Sequence, residues 1–125
     1  MSMFKKKDKV TLDQQAISTF IGEGCFLEGN LKAPAFVRID GQVTGNVTIE
    51  GGLILGERGI INGDVTTHDM VVYGTIKGDI DTHSLEIRGT GNITGELKTQ
   101  TLLVEAGAIY NGVLSMAQNT KVATE

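Results

Sequence analysis

The chain has 125 residues, 40% of them apolar, and a net charge of −4, which bounds it to one domain with a single narrow core. Only 5% of residues are aromatic, Trp is absent and Gly numbers 17, so the core must be aliphatic, thin and closely approached by backbone. The acidic balance, with no basic patch beyond the first nine residues, argues against nucleic acid as a partner, and the single Cys25 allows no internal disulfide. No apolar run nears the roughly 18 residues that span a bilayer, and no secretory leader opens the chain, so a cytoplasmic location is expected.

Residues 1–15 are mostly polar, lack any period and read as a flexible tail. From Ile17 an alternation of period two begins, through Val37 and Ile39, Val47 and Ile49, Leu53 and Leu55, Ile76 and Ile80, to Leu85 and Ile87. Short alternating runs rich in Val and Ile, punctuated by Gly, are the strand signal, and a helical period never replaces them. Pro34, the only proline, is expected at a corner, where no ladder donor is needed. The pattern fades after Met116, so residues 16–116 are expected to form the folded domain and 117–125 a second flexible tail.

Within the folded region a short motif recurs: Gly29-Asn30-Leu31, Gly45-Asn46-Val47, Gly63-Asp64-Val65, Gly78-Asp79-Ile80, Gly95-Glu96-Leu97 and the degenerate Gly112-Val113-Leu114. The spacings of 16, 18, 15, 17 and 17 residues are too short for a helix pair or a propeller blade and match one turn of a β-solenoid. Gly-Asn and Gly-Asp between apolar runs would also suit the two-residue hairpins of an antiparallel meander. Phase favours the solenoid. In most copies the residues two before and two after the glycine are aliphatic (Leu27/Leu31, Val43/Val47, Ile61/Val65, Ile76/Ile80, Ile93/Leu97), and Pro34, Glu50, His68, His83 and Gln100 share the position five after it. Parallel in-register stacking demands such phase, because a slip of one residue would turn the core face to water. The expectation is an all-β chain: a single right-handed parallel β-helix of about six triangular turns, a rod on the order of 30 Å long at about 4.8 Å per turn.

Such a solenoid has two open ends, and no helix is available here to cap either. The first turn carries Ile17, Phe20, Ile21, Phe26 and Leu27, and the last carries Leu102, Leu103, Val104, Ile109, Tyr110, Val113 and Leu114. These residues are the candidate polymer interface, and end-to-end association into a filament is the direct consequence. The alternative is a monomeric or small-oligomer binding module whose tails fold back over the ends.

The stretch from Ile17 to Met116 resembles the bactofilins, a family of small bacterial cytoskeletal proteins. The likeness lies in IGEGCFLEGNL (21–31), VRIDGQVTGNV (37–47), LILGERGIINGDV (53–65) and EAGAIYNGVLSM (105–116). It implies a right-handed β-helix between disordered tails, assembling head-to-head and tail-to-tail into non-polar filaments without a nucleotide. It also implies a place on the inner face of the cytoplasmic membrane, scaffolding cell-shape, cell-wall or motility proteins. Met3, Phe4, Lys5, Lys6, Lys7 and Lys9 resemble the family's membrane-targeting segment. Each lysine near an anionic leaflet contributes about 1 kcal/mol, and burying Phe4 adds roughly 1.5–3 kcal/mol, so one copy binds loosely and a filament binds by avidity.

The remaining chemistry is sparse. His68 and His83 should stack at one corner of adjacent turns, and no third ligand shares their phase, so they read as a surface ladder and not as a metal site. No nucleophile–base or paired-carboxylate set shares a phase, and the aliphatic-Gly hexapeptide of solenoid acyltransferases is missing, so neither catalytic residues nor a cofactor are expected. The threonines Thr66, Thr67, Thr82, Thr99 and Thr101 are too interrupted for an ice-binding array and are expected to reflect β propensity. Cys25 is expected as an apolar filler beside Phe26.

Overall fold

A computed structural model describes residues 17–124. Among them the chain forms strands and no helix: β1 (Ile17–Ile21), β2 (Phe26–Glu28), β3 (Leu31–Ala33), β4 (Phe36–Ile39), β5 (Gln42–Thr44), β6 (Val47–Leu55) and β7 (Ile60–Asn62). Then come β8 (Val65–Val72), β9 (Thr75–Lys77), β10 (Ile80–Ile87), β11 (Asn92–Thr94), β12 (Leu97–Val104), β13 (Ile109–Asn111) and β14 (Leu114–Thr124). Every ladder between them is parallel, and each pairs residues one turn apart. The meander is thereby excluded, and the chain is a β-solenoid.

The cross-section has three faces. Strand β6 pairs through Val47–Ile49 with β3 and through Gly52–Leu55 with β4, so one long strand bends across a corner and supplies two faces. We call these face A (beginning 31–33, 47–49, 65–67) and face B (17–21, 36–39, 52–55, 69–72). Face C is the separate sheet ordered β13-β11-β9-β7-β5-β2. Inward positions alternate with outward ones and stack by type. Val43, Ile61, Ile76 and Ile93 fill face C, Val47, Val65, Ile80 and Leu97 face A, and Leu55, Val72 and Ile87 face B, all buried.

The irregular repeat length has a simple structural source. Corner C–A is always the glycine motif. Corner A–B holds two residues in the early turns (Pro34-Ala35, Glu50-Gly51) and one later (His68, His83, Gln100). Corner B–C holds either two residues, as at Asp40-Gly41 and Tyr73-Gly74, or four, as at 56–59, 88–91 and 105–108. The four-residue corners close as β-turns, with Gly59 N–H donating to the Gly56 carbonyl at 2.8 Å and Gly91 N–H to the Arg88 carbonyl at 2.8 Å. Pro34 stands exposed at its corner, as expected.

The C–A corner tolerates no such variation. Gly45, Gly63, Gly78, Gly95 and Gly112 all have positive φ, 149° at Gly63 and 150° at Gly78. A Cβ on any of them would overlap the carbonyl oxygen of the glycine one turn earlier. The residue after each glycine extends the column. Asp64 N–H donates to Asn46 Oδ1 at 3.4 Å, Asp79 N–H to Asp64 Oδ1 at 3.2 Å and Glu96 N–H to Asp79 Oδ1 at 3.1 Å. Asn46, Asp64 and Asp79 thus serve as short acceptors for the backbone of the turn that follows.

Two further features depart from the sequence reading. Thr67, Thr82 and Thr99 are buried and point inward beneath corner A–B. Thr67 Oγ1 lies 3.1 Å from Thr82 Oγ1, Thr82 Oγ1 donates to the carbonyls of His68 or Ser84 at 3.1 and 3.2 Å, and Thr99 Oγ1 to those of His83 or Thr101 at 3.3 and 2.8 Å. The one-residue corners turn carbonyls toward the interior, and an inward hydroxyl satisfies them. The two-residue corners carry Ala33 and Ile49 at that position instead. Hydrogen bonding, and not β propensity alone, places these threonines. At the C-terminus, where a loose tail is expected after Met116, β14 continues to Thr124, with Lys121 to Thr124 paired on Thr101 to Val104. The backbone edge of β12 accepts an extended segment whose apolar pattern is weak, because ladder bonds need no particular side chain.

Replacing Gly63 with Ala should lower stability by about 2–4 kcal/mol, because strain at positive φ adds to overlap with the Gly45 carbonyl. Gly24→Ala meets open space at φ +90° and should lose about 1–2 kcal/mol. Urea unfolding of both variants checks this, and equal losses would remove the stacked carbonyl as the cause.

Candidate assembly interface

Both ends of the rod expose apolar residues beside unfinished ladders. At the N-terminal end β1 and β2 terminate their sheets, and β3 is bonded on one side only, to β6, among the described residues. Phe20 points outward from face B and Phe26, 59% exposed, from face C; both stand uncovered at the rim of the first turn. Ile21, Leu27 and Leu31 are half-buried, packed on the core below, with no turn above them among the described residues. Cys25 is exposed beside Phe26 in the 22–25 corner, so it fills no core space, in contrast to the expected filler role.

At the C-terminal end β13 terminates face C and β14 the sheet of faces A and B. Ile109, Val113 (64% exposed) and Leu114 are exposed there. Tyr110 behaves differently. Its register partner is the buried Ile93, so the ring points into the lumen. Its hydroxyl donates to the Val113 carbonyl at 2.6 Å or the Gly95 carbonyl at 3.0 Å. Tyr110 thus closes the last turn from within and ties it to the glycine column. Burial raises its phenol above the ordinary 10.0, with the nearby Glu96 and Asp79 charges adding to the effect and a backbone hydrogen bond opposing it.

The interface residues read from the sequence therefore divide. Phe20, Phe26, Ile109, Val113 and Leu114 are exposed at the ends. Ile21, Leu27, Val104 and Tyr110 are half-buried supports of the terminal turns, Leu102 is buried in the core, and Leu103 faces sideways on face B. Ile17 opens β1 at the outermost row. The membrane segment Met3, Phe4, Lys5, Lys6, Lys7 and Lys9 lies outside the described residues.

His68 and His83 stack as their phase predicts, with ring centroids 4.7 Å apart and planes 21° from parallel. His68 Nδ1 lies 3.2 Å from Asp69 Oδ1. Among the described residues no group of three or more His, Cys, Asp or Glu is arranged to hold a metal. The outer corners carry ion pairs instead: Arg88 joins Glu105 at 3.1 Å and Glu86 at 3.6 Å, and Arg58 reaches Glu23 at 3.4 Å across the short corner between them. Such exposed pairs contribute little to stability.

Among the described residues the chain is a helix-free parallel β-solenoid whose terminal strands leave unfinished ladders beside exposed apolar residues, which places it in the class of β-solenoid proteins. The family model of the bactofilins, described as polymer-forming cytoskeletal, matches residues 19–115, and the chain belongs to that family. In a cryo-EM reconstruction of double helical filaments, Thermus thermophilus bactofilin is 33% identical and superposes with a TM-score of 0.77, over 79% of this chain and 99% of that one. A crystal structure of a mutant bactofilin from the same organism, 24% identical over 86% of this chain and 98% of that one, superposes with a TM-score of 0.53 and supports the fold. No curated protein matches the chain.

Because the raised phenol of Tyr110 favours the neutral folded form, its contribution is complete below pH 10 and is lost as pH rises through the folded-state value. Thermal melts between pH 8 and pH 11 should therefore show an alkaline decline in the native chain that is reduced in Tyr110→Phe. A parallel decline in both would remove Tyr110 as its source.

Proposed function

We propose that this polymer-forming cytoskeletal protein assembles end to end into filaments without a nucleotide. Head-to-head and tail-to-tail contacts would make those filaments non-polar. The observation that carries this reading is the pairing of exposed apolar residues with open ladder edges at both ends: Phe20 and Phe26 at one, Ile109, Val113 and Leu114 at the other. Burying each such side chain contributes about 1–2 kcal/mol, and ladder bonds across the junction set its geometry. The chemistry of the ends is apolar packing and backbone pairing, neither of which consumes a nucleotide.

The N-terminal Met3, Phe4 and lysines 5, 6, 7 and 9 would hold such filaments on the anionic inner face of the cytoplasmic membrane. Each copy binds weakly and the polymer binds strongly, so attachment follows assembly. The filament then serves as a scaffold for proteins of cell shape, cell wall or motility, and its work is structural and not enzymatic.

Charges at the exposed end residues should dissolve the polymer without unfolding the chain. Val113→Asp and Phe26→Asp are expected to give small species by sedimentation and no filaments by negative-stain electron microscopy, with an unchanged circular dichroism spectrum. Filaments formed by both variants would refute the end-face contact. Deleting residues 1–9 should abolish co-sedimentation with anionic liposomes and leave filaments intact, and undiminished lipid binding would refute the membrane role.

A further inference from the structure

Two of the six asparagines are followed by glycine, at Asn62-Gly63 and Asn111-Gly112. Asparagine in this pair is chemically labile, because the amide nitrogen of glycine, with no Cβ beside it, can reach the asparagine Cγ. Both copies enter corner C–A from face C, so the fold and not the dipeptide separates them. Within the rod the reaction is held off. Asn62 ends β7, which is paired on both sides, and stands in register between Thr44 and Lys77. The amide that would attack it, Gly63 N–H, donates to the Lys77 carbonyl at 2.9 Å. Gly29, Gly45, Gly78 and Gly95 make the same bond to the turn that follows. At Gly112 the series stops: among the described residues no following turn offers its N–H a carbonyl. Asn111 ends β13, the last strand of face C, which is bonded only to β11, and it is exposed where Asn62 is half-buried.

We propose that Asn111-Gly112 is a self-modification site that acts while the C-terminal end of the rod is uncovered. The Gly112 nitrogen bonds to Asn111 Cγ, the bond from Cγ to the side-chain nitrogen breaks, and ammonia leaves with the proton of the Gly112 amide. A five-membered succinimide remains. Water opens this ring at either of its carbonyls, giving aspartate or isoaspartate, and no further reactant is needed. To bring the nitrogen to Cγ, the peptide between Asn111 and Gly112 must turn out of its extended course. A strand bonded on one side can do this at small cost, chiefly the bond from Gly95 N–H to the Asn111 carbonyl at 2.9 Å, whereas at Asn62 ladders on both sides would open. Both products place a carboxylate beside the corner that carries Asp79 and Glu96 in the turns below. Isoaspartate also adds a methylene to the main chain next to the last glycine of the column. On the end-to-end reading, on which this consequence rests, a tail contact shelters Asn111, and a chain left unassembled alters the face it would have presented.

Val113→Asp, expected to keep chains apart, also makes the two local sequences alike from the asparagine to the second residue beyond it. The full chain carrying this substitution is held in neutral buffer, and peptide mapping by mass spectrometry follows aspartate and isoaspartate at both asparagines. Asn111 should convert at least about tenfold faster than Asn62, with both products present, and the two rates should converge in urea. Where circular dichroism shows that the variant does not fold, the soluble fraction of the native chain takes its place. Equal rates at the two asparagines of the folded chain, or aspartate without isoaspartate, would overturn the site. In sedimented filaments of the native chain Asn111 should slow towards the rate of Asn62. Conversion there as fast as in Val113→Asp would overturn the shelter of a tail contact, and with it that part of the end-to-end reading, while the rates in the variant decide the site by themselves.

Discussion

From Gly45 onward, each turn of this chain is pinned at one corner by a glycine packed against the carbonyl oxygen of the glycine one turn before it. That contact leaves no volume for a side chain and holds φ in a region that other residues enter only under strain. Because it recurs at Gly45, Gly63, Gly78, Gly95 and Gly112, the rows cannot slip relative to one another, and the aliphatic residues two positions to either side of the first four stack inward. The backbone-to-side-chain bonds of Asn46, Asp64 and Asp79 add a polar rail beside this column. Length variation is displaced to the other two corners, which face solvent and can absorb one to three residues without disturbing the core.

A register fixed from within also dictates what happens at the ends. The column and ladders have no internal stop: the last turn presents the same backbone edge that each earlier turn offered its successor. Among the described residues the Tyr110 ring fills the lumen of the last turn, its hydroxyl bonded to the final corner. The rims stay apolar, with Phe20 and Phe26 at one end and Ile109, Val113 and Leu114 at the other. The family is described as polymer-forming, and on the proposed end-to-end reading polymer formation follows from the same repetition that stabilises the single rod.

Much of this was legible in the amino-acid order because a solenoid converts long-range contacts into a short sequence period. Glycine spacing located the turns, the alternation located the inward faces, and the shared phase of His68 and His83 located their stack. The inward threonines were not legible, since Thr66 and Thr67 are neighbours of the same type and only the tertiary structure pairs Thr67 with Thr82, whose hydroxyl meets the corner carbonyls. Tyr110 and Leu102 looked equivalent to Val113 as apolar residues of the last turn. Their directions separate them: Tyr110 and Leu102 point inward, and Val113 sits on the rim. The pairing of β14 beyond Met116 was equally hidden, because it depends on a free backbone edge and not on an apolar pattern.

Period, composition and the glycine motif thus determined by themselves that the chain is a stack of parallel turns with an aliphatic core, because each is a local consequence of strand geometry repeated at one length. Which apolar residues remain at the surface and which hydroxyls are consumed by corner carbonyls were decided only by the tertiary structure. Those outcomes depend on corner length and on neighbours a full turn away, and no local pattern records the distance between them.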